Sequence, residues 1–367
     1  MRPLDHIKVL DLTRLLPGAW ATQVLADFGA EIIKIEEPPL GESGRRLPPM
    51  RNNESELFLR TNRGKKSVCI NLKDPRGKKI FLRLASSADI LIESFRPGVM
   101  HRLGLGYPEL SRHNARLIYA AISGYGQSSP NASLPGHDIN FLALSGLLDM
   151  MRDSDGSPMI PPIQTADLMG GALQAIIGIL LGLVGRSVSG RGQFVDVAML
   201  DGMLPLLMVP RVILESGQRQ ALGVGLLTGS FACYHVYQAR DGDWIAVGAL
   251  ESKFWRMICE ALGCEEFCKD QYAGQLRQAE MVAELSGRFL QEDARDWVAL
   301  LKDACVTLVE KLSAAEPGIT PALSMTPGER GENVPKAGEN TREILAAAGL
   351  SSIEIDELQR DEVVLCQ

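Results

Sequence analysis

Excess positive charge is missing from this sequence. Its 38 lysines and arginines stand against 45 aspartates and glutamates, a formal charge of −7. A general nucleic-acid or bilayer-surface role is excluded on that ground, because both need a positive field to offset phosphates. The opening MRPLDHIKVLDLTRLLPG has no long apolar run behind a basic start and no small-residue cleavage pattern, and the closing VLCQ carries no peroxisomal address. The expectation is a cytoplasmic protein with no membrane association. No C-x-x-C pair occurs. The seven cysteines are odd in number and scattered, which reads as reduced thiols and not as a disulfide framework. Cys259, Cys264 and Cys268 cluster without a nearby histidine, so no metal site is expected. One stretch, Leu168 to Val184, could be mistaken for a membrane span. It is slightly short, interrupted by glycines and followed by Arg186 and Arg191, and is expected as a buried central helix. Internal repeats and low-complexity tracts are absent.

Apolar material is ample. With 46% hydrophobic and 23% charged residues over 367 positions, the chain suits two domains with buried cores. IKVLDL, AEIIKIEEP, KSVCINL, ADILIESF and RLIYAAISGYG read as strands, separated by helical segments such as PRGKKIFLRLASS. This alternation predicts an α/β fold with a parallel sheet covered on both faces. The first turn is T-R-L-L-P-G-A-W, without the G-x-G-x-x-G order that a dinucleotide pyrophosphate requires. Ligands in such sheets bind beyond the carboxyl ends of strands, which makes SFRPG and SGYGQ site candidates. Near Gly217 the composition changes, and CYHVYQARDGDWIAVGALE reads as a β-hairpin around a D-G-D turn. The expected division is a large α/β domain over 1–219, a smaller α+β domain over 220–320, and a segment 321–367 returning to the large domain.

Three segments place an ionisable group beside small residues: PGHDINF at 135–141, QTADLMGG at 164–171, and AVGALE at 246–251. His137 has the side chain whose ordinary pKa, about 6.5, suits proton shuttling near neutrality. Asp167, ahead of the apolar helix, is by default an N-cap. The same helix end offers N–H donors and partial positive charge, and Gly170 and Gly171 permit close approach, so an enolate oxygen could be stabilised there. Glu251 ends a hairpin strand and is by default a solvated acid.

Nearly the whole chain resembles the family III CoA transferases, and within them the α-methylacyl-CoA racemase branch. The likeness runs through LADFGAEIIKIE, NRGKKSVCINLKDPRG, ESFRPGVMHRLGLGY, ISGYGQSSP, PGHDINFLALSG, the DLMGG helix and SGRGQFVDVAMLDG. The resemblance implies an interlocked homodimer whose site lies between the large domain of one chain and the small domain of the other. It implies that His137 and Asp167 flank the substrate α-carbon and that Glu251 partners His137 across the subunit boundary. CoA binding is implied for Ile70, Asn71, Leu72, Lys73, Ser94, Phe95, Arg96 and Arg102, and for the loop of Gly136, Asp138, Ile139, Asn140 and Phe141. The expected reaction is interconversion of (R)- and (S)-2-methylacyl-CoA thioesters through an enolate, with no cofactor and with acyl-CoA as the small-molecule partner. The alternative is a CoA transferase with Asp167 as nucleophile, which needs the aspartate but not the imidazole. The sequence departs from the racemase pattern at Glu37, where an arginine is usual, and at the G-S-F-A-C-Y segment of 229–234.

Overall fold

A computed structural model describes residues 1–153, 155–215, 225–315 and 317–367. The expected boundary at 219/220 lies outside the described residues. Two compact units are present. The first comprises Met1–Leu147, Ile160–Met208 and Pro317–Gln367, and the second takes the intervening segments. These bounds differ from the expected ones at three places, the second unit already taking the described residues from Val209 to Glu215. The stretch from Leu148 to Met159 leaves the first unit, and the chain from Pro317 onward joins it. There Ile319 packs against the core under the first helix, and the Glu329 N–H donates to the Asp27 carbonyl at 2.7 Å.

The first unit is built on β1 (Lys8–Leu12), β2 (Glu31–Glu36), β3 (Lys66–Ile70), β4 (Ile90–Glu93), β5 (Ile118–Ser123) and β6 (Phe194–Ala198), all parallel, with β10 (Val364–Leu365) antiparallel on the β3 edge. In space the order is β10-β3-β2-β1-β4-β5-β6. The strands read as near-continuous apolar runs because both faces are covered. Alternate residues divide between them. Leu10, Leu12, Ile33 and Leu91 pack on one side with α2 (Pro75–Ser86), α10 (Thr341–Ala347) and α11 (Ser352–Arg360). Val9, Ile32, Ile90 and Ile118 pack on the other with α1 (Leu15–Asp27) and α4 (Ala166–Ser189). Helix starts follow local chemistry: Asp74 caps α2 through the Arg76 N–H ahead of Pro75, and Ser351 with Glu354 forms a capping box on α11.

The α4 helix corrects an expectation. It begins with a π-helical stretch, Ala166–Leu173, and continues as α-helix over Gln174–Ser189. By length and composition it could cross a membrane, yet Ala172, Ala175, Ile176 and Ile179 are packed in the sheet core. It is buried along one side only. Leu181, Val184 and Val188 are 64%, 65% and 87% exposed, because a helix lying on a sheet covers a single stripe.

The second unit holds a three-stranded antiparallel sheet in the order β9 (Val306–Leu308), β8 (Trp244–Gly248), β7 (Tyr234–Gln238). The hairpin read from the D-G-D turn is β7–β8, with Tyr237 opposite Ile245. Its core gathers Trp255 from α7 (Ser252–Leu262), Phe289 from α8 (Gln275–Phe289) and Trp297 from α9 (Ala294–Leu300). Each indole N–H finds a carbonyl, Trp255 that of Phe267 at 3.0 Å and Trp297 that of Phe289 at 2.8 Å.

Candidate active site

The chain enters the sheet at its centre, moves outward from β1 to β2 and β3, then returns to the other side of β1 with β4. A crevice therefore opens at the carboxyl ends of β1 and β4, where the connections diverge to opposite sides. The turns that line it are Thr13-Arg14-Leu15 and Ser94-Phe95-Arg96. Ser94 Oγ accepts from the Arg14 N–H at 2.8 Å and donates to the Arg14 carbonyl at 3.4 Å, tying the turns together. The Arg14 guanidinium lies 4.9 Å from the Phe95 ring centroid.

Under these turns sits a buried ionic cluster. Asp11 accepts from the Thr13 N–H and hydroxyl at 2.9 and 2.6 Å and from Thr22 at 2.7 Å. Lys65 Nζ reaches Asp11 at 3.3 Å and Thr22 at 2.8 Å. Burial alone would raise the Asp11 carboxyl, but Lys34 and Lys65 beside it outweigh that and hold it at about 2. Burial brings Lys65 down to about 8 against the pull of Asp11. The cluster fixes the end of β1. Gly18 allows the turn to close on α1, since a Cβ there would lie 2.2 Å from Thr13 Cβ.

Two cavities meet at the crevice and share Arg14, Leu15, Ser94, Phe95 and Arg96 in their walls. The larger, about 660 Å³, is also lined by Ile70, Asn71, Leu72 and Lys73, so seven residues expected to bind CoA come together. Arg102 does not line either cavity; it is exposed on the short helix Val99–Leu103. Glu37 enters the larger cavity, pairing with Lys73 at 2.8 Å and with Arg14 at 3.5 Å. The Lys73 hydrogen bond holds its carboxyl below the usual range.

The smaller cavity, about 290 Å³, brings His137 and Asp167 into one wall with Gly136, Phe141 and Met199. His137 takes the N-cap position of α3 (Asp138–Ser145), and its N–H donates to Asn140 Oδ1 at 3.0 Å. Three neighbours expected against CoA do not line this wall. Asn140 serves that cap, Ile139 is 41% exposed, and Asp138 Oδ1 accepts from the Asp167 N–H at 2.9 Å.

Asp167 is not the N-cap of α4. Thr165 holds that position without a side-chain cap, and Asp167 lies in the first turn. Its carboxyl is half-buried and raised to about 6, first by desolvation and then by the charge of Asp138. Gly170 and Gly171 are corrected as well. Both are buried, and a Cβ at Gly170 would lie 2.4 Å from the Met199 carbonyl oxygen at the start of α5 (Met199–Met203). Gly170 lets the two backbones touch, a Cβ at Gly171 would lie 3.0 Å from Cγ of the Met199 side chain, and neither glycine lines the cavity. At the helix start, the Asp167 N–H is taken by Asp138 and the Leu168 N–H by the Gln164 carbonyl.

Glu251 belongs to the second unit. The strand stops at Gly248, and Glu251 is the N-cap of α7, exposed, with its carbonyl accepting from the Phe254 and Trp255 N–H groups. Its side chain makes no cap bond. Among the described residues no group of three or more His, Cys, Asp or Glu is placed to hold a metal ion. Sequence reasoning missed Arg14, and also Glu93, which lies 4% exposed at the end of β4. Desolvation raises the Glu93 carboxyl to about 8, although it accepts from the Phe95 N–H at 2.7 Å. Their position at strand-ending turns was the available signal.

Residues 4–319 match the model of "CoA-transferase family III". The chain belongs to this family. Members resembling it differ in reaction. Human α-methylacyl-CoA racemase is 33% identical, over 98% of this chain and 97% of that protein. Succinyl-CoA:glutarate CoA-transferase of Mus musculus is 36% identical, over 82% of this chain and 70% of that protein. Among solved structures, a CAIB/BAIF family protein from Brucella suis superposes with a TM-score of 0.79 at 27% identity, over 95% of this chain and 99% of that one. Racemases and transferases are thus about equally close, and membership fixes acyl-CoA chemistry at the level of the family.

Proposed function

We propose that the protein interconverts (R)- and (S)-2-methylacyl-CoA thioesters. The carrying observation is that His137 and Asp167 line the same small cavity. A thioester acidifies its α-C–H. One group takes the α-proton, the C–H electron pair passes to the thioester oxygen as an enolate, and the other group gives a proton to the opposite face. The base ends protonated and the acid deprotonated, so the proton count balances and the roles exchange for the other enantiomer. Desolvation of Asp167 suits this, since a carboxyl near 6 both takes and gives a proton at neutral pH.

The larger cavity takes the nucleotide end of CoA, with Arg96 and Arg14 toward its phosphates and Ile70 to Lys73 along the wall. Glu251 orients His137 from a second copy of the chain in a homodimer, and no dissociable cofactor takes part. The exposed apolar residues along α4 support a chain-to-chain contact. The equal similarity to transferases favours one other reading, in which Asp167 is the nucleophile of a CoA transfer.

Proton NMR with one enantiomer of a 2-methylacyl-CoA in deuterated water, without a free acid, tests the proposal. Loss of the α-proton signal with appearance of the other enantiomer, abolished in His137→Ala and Asp167→Asn, is the expected result. Persistence of the α-proton together with CoA movement to an added carboxylic acid would replace it by the transferase reading.

A further inference from the structure

Asp138 lies next to His137 in sequence, yet its carboxylate turns to the opposite partner. Its Oδ1 accepts from the Asp167 N–H at 2.9 Å, bridging α3 to the first turn of α4 across 29 positions. An acid that caps another helix's N–H is held in place by that donor. The capped residue here carries the carboxyl that faces the cavity. A negative charge is thus fixed one peptide away from the Asp167 side chain.

Other charged groups near α4 are engaged elsewhere. Asp27 on α1 accepts from Gln23 at 2.9 Å, Asp196 on β6 accepts from the Gln127 N–H at 2.9 Å, and Arg186 at the far end of α4 pairs with Asp89 at 3.0 Å. Asp201 on α5 lines a different cavity together with Asp196. Arg14, Arg96 and His137 share the cavity wall with Asp167. Of all these, Asp138 is the charge that acts on Asp167, in the direction of holding its proton.

We propose that Asp138 is a positioning residue for the acid–base chemistry of Asp167, aligning the first turn of α4 by hydrogen bond and tuning its carboxyl through a fixed negative charge. This rests on the reading of Asp167 as a proton-transfer group. It gives the H-D pair a division of labour: His137 serves one face of the substrate directly, and Asp138 serves the other through Asp167. Asp138→Asn separates charge from geometry, because the amide oxygen still accepts from the Asp167 N–H while the charge is gone.

The experiment is a carbon-13 titration of protein labelled at aspartate Cγ, with the Asp167 resonance assigned by its loss in Asp167→Asn. In the wild type the carboxyl is expected to titrate near 6, and in Asp138→Asn about one pH unit lower. The acid limb of kcat/KM for α-proton exchange should move down by the same amount, with KM changed less than about threefold. An Asp167 resonance that titrates identically in both proteins, with matching thermal melts, would overturn the inference. An Asp167 resonance that moves in Asp138→Asn while the wild-type protein exchanges no α-proton keeps the action of Asp138 on the Asp167 carboxyl and removes the racemase reading on which its part in proton transfer rests, so the two failures are distinguishable.

Discussion

Glu37 Oε1 lies 2.8 Å from Lys73 Nζ, and its other oxygen lies 3.5 Å from Arg14, so one carboxylate occupies two cations of the cavity proposed for the CoA nucleotide. All three side chains are substantially exposed, and pairs of that kind contribute little to stability. Their effect on an incoming polyanion is larger, because phosphates compete with Glu37 for the same donors. Glu37→Gln is expected to tighten CoA binding about three- to tenfold at low ionic strength with kcat unchanged, and to lose that advantage at about 0.5 M salt. Calorimetric titration with CoA at the two salt concentrations checks this. Equal affinities of both proteins at low salt would sink it.

Asp167 carries a stability cost together with its chemistry. Its carboxyl is ordinary at 3.8 when unfolded and raised to about 6 when folded. The folded state therefore binds the extra proton between those values, and the associated stability is present below 3.8 and lost as pH rises through about 6. Asp167→Asn should match the wild type near pH 3.8 and exceed it by about 1–2 kcal/mol at pH 7.5, discounted for partial exposure. The same variant should lose at least about a thousandfold in α-proton exchange. Thermal melts at several pH values, with an unchanging gap, would contradict the assignment.

Much of this arrangement was legible in the sequence because it follows from local patterns. Apolar strands alternating with ten- to fifteen-residue helices gave the parallel sheet, and the strand-end rule pointed to Ser94–Arg96 without reference to any relative. The D-G-D turn gave the β7–β8 hairpin. What failed was anything decided by packing between distant segments. Gly170 and Gly171 looked like room for an enolate, but the space is filled by Met199, by its backbone at Gly170 and by its side chain at Gly171. Asp167 looked like a cap and is itself capped, by a residue 29 positions away. Apolar composition could not tell which stripe of α4 meets the sheet, nor could it announce that 148–159 leaves the first unit.

Glu93 extends the titration argument beneath the crevice. Its carboxyl is raised from 4.5 to about 8, by desolvation above all, and so stays protonated in the fold at neutral pH. The sign is that of a raised acid: stability is full below 4.5 and declines as pH climbs to about 8. Glu93→Gln keeps an acceptor for the Phe95 N–H and removes the ionisation. Denaturant unfolding between pH 5 and 9 should show a declining free energy for wild type and a flatter profile for the variant, which becomes the more stable protein at the upper end. Parallel profiles would show that Glu93 is not titrating there.

Steric and propensity effects at glycine separate cleanly between two helices. Gly170→Ala forces a methyl to 2.4 Å from the Met199 oxygen, whereas Gly287 within α8 has nothing within 4 Å of an added Cβ. The first change is expected to destabilise by about 1–3 kcal/mol through overpacking. The second should stabilise by about 0.5–1 kcal/mol through helix propensity. Paired thermal or urea melts read both, and a Gly170→Ala protein as stable as wild type would mean that α4 and α5 are free to separate.

The proposed sharing of Glu251 between chains makes a prediction that stoichiometry alone decides. His137→Ala and Glu251→Ala proteins, each made alone, should be at least tenfold impaired in α-proton exchange. Co-expressed in equal amounts and allowed to assemble at random, half of the dimers are hybrids, and each hybrid regains one intact His137–Glu251 pair of its two sites. Activity should therefore recover to about one quarter of wild type. If both groups of a site came from one chain, every site in the hybrid would lack one partner and mixing would restore nothing. Light scattering of wild type beside a Leu181→Asp, Val188→Asp variant supplies the companion measurement, since charges on the exposed α4 stripe should shift the protein toward monomer and remove exchange activity together.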